Sequence, residues 1–270
     1  MLSATLRTGY AAVNGLQMYY EIHGSGSTPL VLLHGAFSAI GSSFEALLPG
    51  LAAGRQVIAF ELQGHGRTAD IDRPMSIEQF ADDVAAALQQ LGIPQADFFG
   101  YSMGGSVALH MALRHPQLVR KLVLASVSYT MAGLHPGLME GLGEMRPEMM
   151  HGSPWHEEYL RIAPNPDDFA TLFAKKTAMD QNIKDIPAEA IRAITAPTLL
   201  IIGDSDIVRP EHAAELFRLL GGGVAGDMVG LPRSQLAILP GTTHVTVVQR
   251  ADLLLAIIPP FLDAPLPAAS

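Results

Sequence analysis

Short apolar runs alternate along the chain with segments of helical periodicity. Leu30–Leu33 reads Leu-Val-Leu-Leu, whereas residues 76–91 repeat apolar side chains at every third or fourth position until Gly92 and Pro94. The first pattern predicts a buried strand and the second an amphipathic helix. The same reading predicts strands at residues 56–60, 96–99, 119–125, 198–202 and 236–239, and helices at residues 105–114, 210–220 and 252–262. This alternation is typical of a parallel α/β sheet.

Glycine, asparagine and proline residues refine these predictions at both ends of the chain and after one helix. Residues 7–13 and 16–23 predict a hairpin, because Asn14 and Gly15 suit a two-residue turn. Pro259 and Pro260 predict an interruption of the last helix. The three glycines at 221–223 follow a helix rather than a strand, so they indicate a helix stop and not a dinucleotide site.

One stretch, residues 126–195, contains no good strand but many prolines and methionines. A structureless loop of that length is uncommon in a compact domain. The sequence therefore predicts a helical cap (lid) at residues 127–195, inserted into a core domain made of residues 1–126 and 196–270. Ordinary packing explains the cap methionines, although some of them could line an adaptable apolar pocket.

The composition and net charge of the chain argue against several classes of protein. The 270 residues are 49% hydrophobic and the net charge is −9, which excludes wholesale disorder and argues against nucleic-acid binding. Cysteine is absent, so no disulfide or thiolate nucleophile exists. No apolar run approaches the roughly 20 residues of a membrane span, and the first twenty residues lack a signal-peptide core, which predicts a cytoplasmic protein. We find no metal-ligand motif and no phosphate loop, so we expect neither metal nor cofactor.

The strongest chemical motif is Gly100-Tyr101-Ser102-Met103-Gly104, placed between a predicted strand and a predicted helix. In that position the G-x-S-x-G pattern predicts a nucleophile elbow, a tight turn with a strained serine. Side chains at 100 and 104 would collide with neighbouring backbone. The following helix N-terminus offers free N–H groups to an oxyanion.

A serine hydroxyl needs a base, usually a histidine oriented by a carboxylate. His244 follows the last predicted strand, at the sheet edge where such sites lie, and is the predicted base. His212 is interpreted as a solvated helix residue. Asp204 and Asp206 both follow the strand at 198–202, and the residues alone leave open which is catalytic and which caps the loop.

Five segments together resemble the α/β-hydrolase family. They occur in the family's order between residues 30 and 245: His34-Gly35-Ala36, Gly64-His65-Gly66, Gly100-Tyr101-Ser102-Met103-Gly104-Gly105, Gly203-Asp204-Ser205-Asp206 and Pro240-Gly241-Thr242-Thr243-His244. The resemblance implies a mostly parallel eight-stranded sheet flanked by helices with an inserted helical cap. It also implies a Ser102-His244-Asp206 triad, since the acid is the last residue of the family's G-x-x-D pattern.

The resemblance further implies an oxyanion hole formed by the backbone N–H groups of Ala36 and Met103. His34 and His65 are then structural, with His34 holding the oxyanion loop. The family usually has Asp where this chain has Glu61, and we expect that exchange to leave activity intact.

The predicted function is a serine hydrolase that cleaves a small-molecule carboxylic ester or lactone, of either short or bulky type, through an acyl-enzyme. The alternatives are the same triad used for C–C bond hydrolysis or perhydrolysis, and a receptor-like member that only binds ligand. An apolar pocket is expected under the cap. Its candidate lining residues are Phe37, Tyr101, Met131, Met145, Met150, Trp155 and Val245. The oligomeric state cannot be read from the sequence.

Overall fold

The computed structural model describes residues 6–266. Its strands form one eight-stranded sheet. They are β1 (Arg7–Val13), β2 (Leu16–His23), β3 (Leu30–Leu33), β4 (Val57–Phe60), β5 (Ala96–Tyr101), β6 (Val119–Ala125), β7 (Thr198–Ser205) and β8 (Gln235–Thr243). The predicted core domain limits at residues 1–5 and 267–270 lie outside the described residues.

Helices cover both faces of this sheet or lie between β6 and β7. They are α1 (Ile40–Phe44), α2 (Leu48–Ala52), α3 (Ile77–Gln90), α4 (Met103–Arg114), α5 (Leu138–Gly143), α6 (Pro154–Ile162), α7 (Phe169–Gln181), α8 (Ala188–Arg192), α9 (Pro210–Leu219), α10 (Gly226–Val229) and α11 (Ala251–Asp263).

The spatial strand order is β1-β2-β4-β3-β5-β6-β7-β8. The pairs β1–β2 and β2–β4 are antiparallel, and every pair from β4 to β8 is parallel. The predicted eight-stranded, mostly parallel sheet is therefore confirmed. Because neighbouring parallel strands end at one edge, the segments after β3, β5, β6, β7 and β8 meet there.

Alternation along the central strands divides the core into two layers. In β3, Val31 and Leu33 face one layer while Leu30 and Leu32 face the other, and all four are fully buried. The first layer includes buried residues of α3, α4 and α9, and the second includes those of α1, α2 and α11. Burial on both faces explains the continuous apolar runs in the sequence.

Four helices, α5 to α8, occupy the segment between β6 and β7, which contains no strand. The segment is attached to the loop after β7 by a bridge between Leu134 and Val208 and by backbone bonds from His135 to Ile207 and from Arg209 to Gly133. Helical structure in this stretch agrees with the sequence pattern.

The predicted interruption of the last helix is wrong, since α11 continues through Pro259 and Pro260 to Asp263. Both prolines lie near its C-terminal end, where the chain supplies other partners for the backbone. The buried Lys121 ammonium donates to the carbonyl oxygens of Phe261, Leu262 and Ala264. These charge-assisted bonds satisfy carbonyls that a helix end leaves without donors.

No helix within residues 6–266 has the length and apolar character needed to cross a bilayer.

Candidate active site

Ser102 occupies a strained turn between β5 and α4. Its backbone has φ 53° and ψ −119°, a conformation that costs a residue with a side chain on the order of 1–3 kcal/mol. The Ser102 N–H donates to Ala125 O at 2.9 Å, which ties the turn to β6. Helix α4 begins at Met103, two residues before its predicted start, so the helix N-terminus lies directly beside the serine.

Glycines permit the close approaches that hold this turn. A Cβ at Gly104 would overlap Leu33 O and lie 2.5 Å from His34 O, and one at Gly100 would overlap Gly104 O. A Cβ at Gly35 would lie 2.8 Å from the Tyr101 ring. The predicted collisions at 100 and 104 are thus present, and they join the turn to the segment after β3.

A linear chain of hydrogen bonds runs from Ser102 to Asp206. Ser102 Oγ lies 2.9 Å from His244 Nε2, and His244 Nδ1 lies 2.9 Å from Asp206 Oδ1. Since an ionised carboxylate only accepts, Nδ1 holds the proton and Nε2 is free to accept the serine proton. Tyr101 also fixes the histidine, because its hydroxyl donates to His244 O at 2.9 Å.

Asp206 is 3% exposed and receives donors on both oxygens. Ser126 Oγ and the Gly203 N–H donate to Oδ2, while the Val208 N–H donates to Oδ1 at 3.2 Å. Burial alone would raise the pKa of Asp206, but the bonds from His244, Ser126 and Val208 outweigh burial and hold that pKa below its ordinary value. The carboxylate therefore remains ionised beside His244.

The structure separates the two aspartates that the sequence left open. Asp204 is exposed and accepts the Gly241 N–H at 2.9 Å and the Thr242 N–H at 3.2 Å. These bonds lower the pKa of Asp204 and tie the end of β7 to the end of β8. Asp204 therefore caps the loop that leads to His244, while Asp206 contacts the histidine itself.

The segment after β3 is held by the buried His34. Burial lowers the pKa of His34 to about 4, so the ring is neutral near pH 7. Its Nδ1 donates to Gly35 O at 2.7 Å and its Nε2 accepts the Leu62 N–H at 3.0 Å. The bonds fix the backbone next to Ala36, which lines the same cavity as Ser102 and Met103. The geometry agrees with a structural role for His34.

A cavity of about 460 Å³ opens onto Ser102 and His244. All seven residues that the sequence analysis named as lining candidates border it: Phe37, Tyr101, Met131, Met145, Met150, Trp155 and Val245. Phe37 has a left-handed backbone with φ 59°, and its ring stacks on Phe173 of α7 at 5.4 Å between centroids. The segment after β3 and α7 thus share one wall.

Several residues at this site were not predicted. Ser126, which donates to Asp206, directly follows β6, the neighbour of the strand that precedes Asp206, and this strand adjacency is the only signal that could have indicated it. Ser106 and His110 also line the cavity. Their spacing of four residues places both on one face of α4, the helix that begins directly after Ser102, and this signal is present in the sequence.

The interpretation of His212 as a solvated residue is wrong, since it is 3% exposed. Its Nε2 lies 2.9 Å from Ser128 Oγ, and its ring stacks on Tyr129 at 4.5 Å. Position 212 faces inward because the segment 128–133 packs over α9, which the local sequence does not reveal. His65 is buried, and its Nδ1 bonds Gln63 O at 2.9 Å.

Glu61 is a buried carboxylate in the turn after β4. Its oxygens accept from the Arg67 guanidinium at 2.9 Å, from the Arg67 N–H and from the Ile40 N–H. Burial raises the pKa of Glu61 to about 7, although Arg67 and the backbone donors oppose that rise. The longer side chain thus ties the turn to the start of α1.

A family model described as "alpha/beta hydrolase fold" matches residues 28–182. The chain is 30% identical over 253 residues to a pimeloyl-[acyl-carrier protein] methyl ester esterase of Neisseria meningitidis serogroup C, a match that covers 86% of this chain and 92% of that protein. It is 27% identical to a 2-hydroxymuconate semialdehyde hydrolase of Pseudomonas sp. strain CF600, covering 90% and 89%.

Solved structures agree on the fold. A 2-hydroxy-6-oxo-6-phenylhexa-2,4-dienoate hydrolase from Rhodococcus sp. strain RHA1 superposes with a TM-score of 0.75 over 97% of this chain and 100% of that one. Its sequence identity is 20%, so the likeness supports the architecture and not a substrate.

We expect Gly104→Ala to lower the free energy of unfolding by about 3 kcal/mol. The new Cβ would overlap the backbone oxygens of Leu33 and His34, which cannot shift unless the surrounding backbone also moves. Gly141→Ala is the matched control, since a Cβ there meets nothing within 4 Å and α5 favours alanine. Urea unfolding of both variants tests the difference. Equal stability of the two would contradict the close approach of Gly104 to β3.

We also expect Glu61 to make stability pH-dependent. Its folded-state pKa of about 7 exceeds its ordinary value of 4.5, so the unfolded chain releases the proton first. The contribution of Glu61 to the free energy of unfolding should therefore fall by up to about 3 kcal/mol as pH rises through that window.

The measurement is urea unfolding at pH 5 and pH 8. Glu61→Gln removes this contribution, so its free energy of unfolding at pH 8 minus that at pH 5 should exceed the wild-type difference by up to about 3 kcal/mol. Glu45→Gln, at an exposed position, should leave the difference as in the wild type. An unchanged pH difference in Glu61→Gln would refute the assignment.

Proposed function

Because this chain belongs to the α/β-hydrolase fold family, we propose that it is a serine hydrolase of carboxylic esters or lactones. The observation that supports this proposal most directly is the chain of two 2.9 Å hydrogen bonds from Ser102 through His244 to Asp206. The serine lies at a helix N-terminus and at a cavity, as an attacking nucleophile requires.

In the proposed first step, Ser102 Oγ attacks the carbonyl carbon while His244 Nε2 takes the serine proton. The ionised Asp206 stabilises the resulting imidazolium through Nδ1–H. The backbone N–H groups of Ala36 and Met103 donate to the oxyanion that forms on the substrate. The C–O bond to the alcohol then breaks, and His244 gives its proton to the leaving oxygen.

In the second step a water molecule attacks the acyl-enzyme carbonyl. His244 takes a proton from the water, the bond to Ser102 Oγ breaks, and the serine regains its proton from His244. The products are a carboxylic acid and an alcohol, which remain joined in one molecule when the substrate is a lactone. No other reactant is required.

We propose that residues 127–195 act as the cap of this site, over a core of residues 1–126 and 196–270. Residues 127–195 supply five of the six methionines among residues 6–266 that border the cavity, including Met145 and Met150 from the segment between α5 and α6. With Phe37, Tyr101, Met131, Trp155 and Val245 they would form an apolar binding surface.

Hydrolysis of a C–C bond by the same three residues is the second candidate. The similarity to the 2-hydroxymuconate semialdehyde hydrolase favours it, whereas the similarity to the methyl ester esterase favours ester cleavage. Chromatography of products after incubation with 2-hydroxymuconate semialdehyde separates the two activities. Perhydrolysis would consume hydrogen peroxide, and a receptor-like protein would bind ligand without turnover.

The direct test compares p-nitrophenyl butyrate hydrolysis by the wild type and Ser102→Ala at pH 8. We expect kcat/KM to fall by about 10³-fold or more in the variant, because no other hydroxyl among residues 6–266 bonds to His244 Nε2. Ser25→Ala, at an exposed loop position, is the matched control and should retain wild-type activity. Equal rates in wild type and Ser102→Ala would overturn the covalent mechanism.

A further inference from the structure

One face of α4 forms an open wall of the cavity beside the nucleophile. Ser106 and His110 both border the cavity and are half-buried, whereas the residues between them, Val107, Ala108 and Leu109, are fully buried. Positions 106 and 110 are four residues apart and lie on one face of α4, which begins directly after Ser102. We call the cavity wall formed by Ser106 and His110 the α4 strip.

The α4 strip extends from Ser102 along the axis of α4 as far as His110. His110 is eight positions beyond Ser102, which corresponds to about 12 Å along the helix axis. An extended chain covers about 3.6 Å with three single bonds, so this distance suits a substituent of about ten bonds. Apolar side chains border the same cavity from α4 and from the segment that crosses it, including Leu109, Met139 and Leu142.

The far end of the strip has a defined hydrogen-bonding character. His110 Nδ1 lies 2.9 Å from Ser106 O, and a carbonyl oxygen only accepts, so Nδ1 holds the proton of the neutral ring. His110 Nε2 is then an acceptor, and no donor from residues 6–266 bonds to it. A polar acceptor at the end of an apolar wall is suited to a donor on the substrate, such as a hydroxyl or amide N–H.

Resting on the proposed hydrolase function, we propose that the α4 strip binds one linear substituent of the substrate. This substituent is an unbranched chain of about ten bonds that starts at the scissile carbonyl or its ester oxygen. It ends in a hydrogen-bond donor that His110 Nε2 accepts. Ser106 and His110 are thus specificity-determining residues for chain length and for the terminal group.

The first experiment measures kcat/KM for two ester series. One series varies the acyl chain of p-nitrophenyl esters from acetate to decanoate, and the other varies the alcohol of alkyl acetates from ethyl to decyl. Wild-type activity should rise with chain length in one of the two series, which identifies the substituent that lies on the strip. The readout is the ratio of kcat/KM for the longest and shortest esters.

Ser106→Phe places a ring across the strip and should lower that ratio by about tenfold or more. Gln89→Phe introduces the same ring at an exposed position of α3 and should leave the ratio at the wild-type value. A Ser106→Phe variant that keeps the wild-type ratio in both series would overturn the proposal.

A second variant tests the terminal group and does not depend on the fold tolerating Ser106→Phe. His110→Leu should raise KM for p-nitrophenyl 10-hydroxydecanoate by about fivefold or more relative to p-nitrophenyl decanoate, because the hydroxyl loses its acceptor. If the alcohol series identifies the strip, the matched pair is 10-hydroxydecyl acetate and decyl acetate. Equal effects on the two esters would refute the role of His110.

These outcomes are distinct from a failure of the proposed function. If Ser102 is not a nucleophile, no ester of either series is cleaved in a Ser102-dependent manner. If only the α4 strip is misassigned, Ser102-dependent cleavage persists and Ser106→Phe leaves the length ratio unchanged.

Discussion

The turn between β5 and α4 depends on backbone approaches that only glycine permits. Gly104 lies against Leu33 O and His34 O, and Gly100 lies against Gly104 O. These contacts hold Ser102 at φ 53° and start α4 at Met103. They also bring the segment after β3, which contains Ala36, beside the same helix N-terminus. The close approach of Gly104 to Leu33 and His34 therefore positions the serine and both proposed oxyanion donors. It also sets the direction in which α4 extends from the site.

Parallel pairing supplies the remaining groups. The segments after β6, β7 and β8 reach the same edge, where Ser126, Asp206 and His244 form one hydrogen-bonded set. A buried carboxylate is costly unless its oxygens are satisfied, and Asp206 meets that condition with side-chain and backbone donors. Its lowered pKa follows from this arrangement. Asp204, two residues earlier, uses the same chemistry to close the loop before His244.

Much of this architecture could be predicted because it depends on local patterns. Apolar runs identified the strands, and G-x-S-x-G between a strand and a helix identified Ser102. Asp204 and Asp206 follow the same predicted strand and differ only in the groups they contact. The choice between them therefore needed the G-x-x-D pattern of the family. The role of Ser126 depends on its contact with Asp206, and the burial of His212 depends on its contact with Ser128. Each contact joins segments about 80 residues apart, and local patterns do not encode contacts of that range. The carbonyl oxygens at the end of α11 likewise accept hydrogen bonds from Lys121, which is far away in the sequence.

The segment between β6 and β7 is connected to both halves of the proposed machinery. Through α7, Phe173 stacks on Phe37, the residue after the proposed oxyanion donor Ala36. Through its first residues, Ser128 and Tyr129 contact His212, while Gly133 and Leu134 bond to the loop that follows Asp206. A displacement of this segment would therefore change the packing of the oxyanion loop and the acid loop at the same time. A substrate bound in the cavity would contact the same helices, so the proposed function couples substrate binding to the alignment of Ser102, His244 and the oxyanion donors.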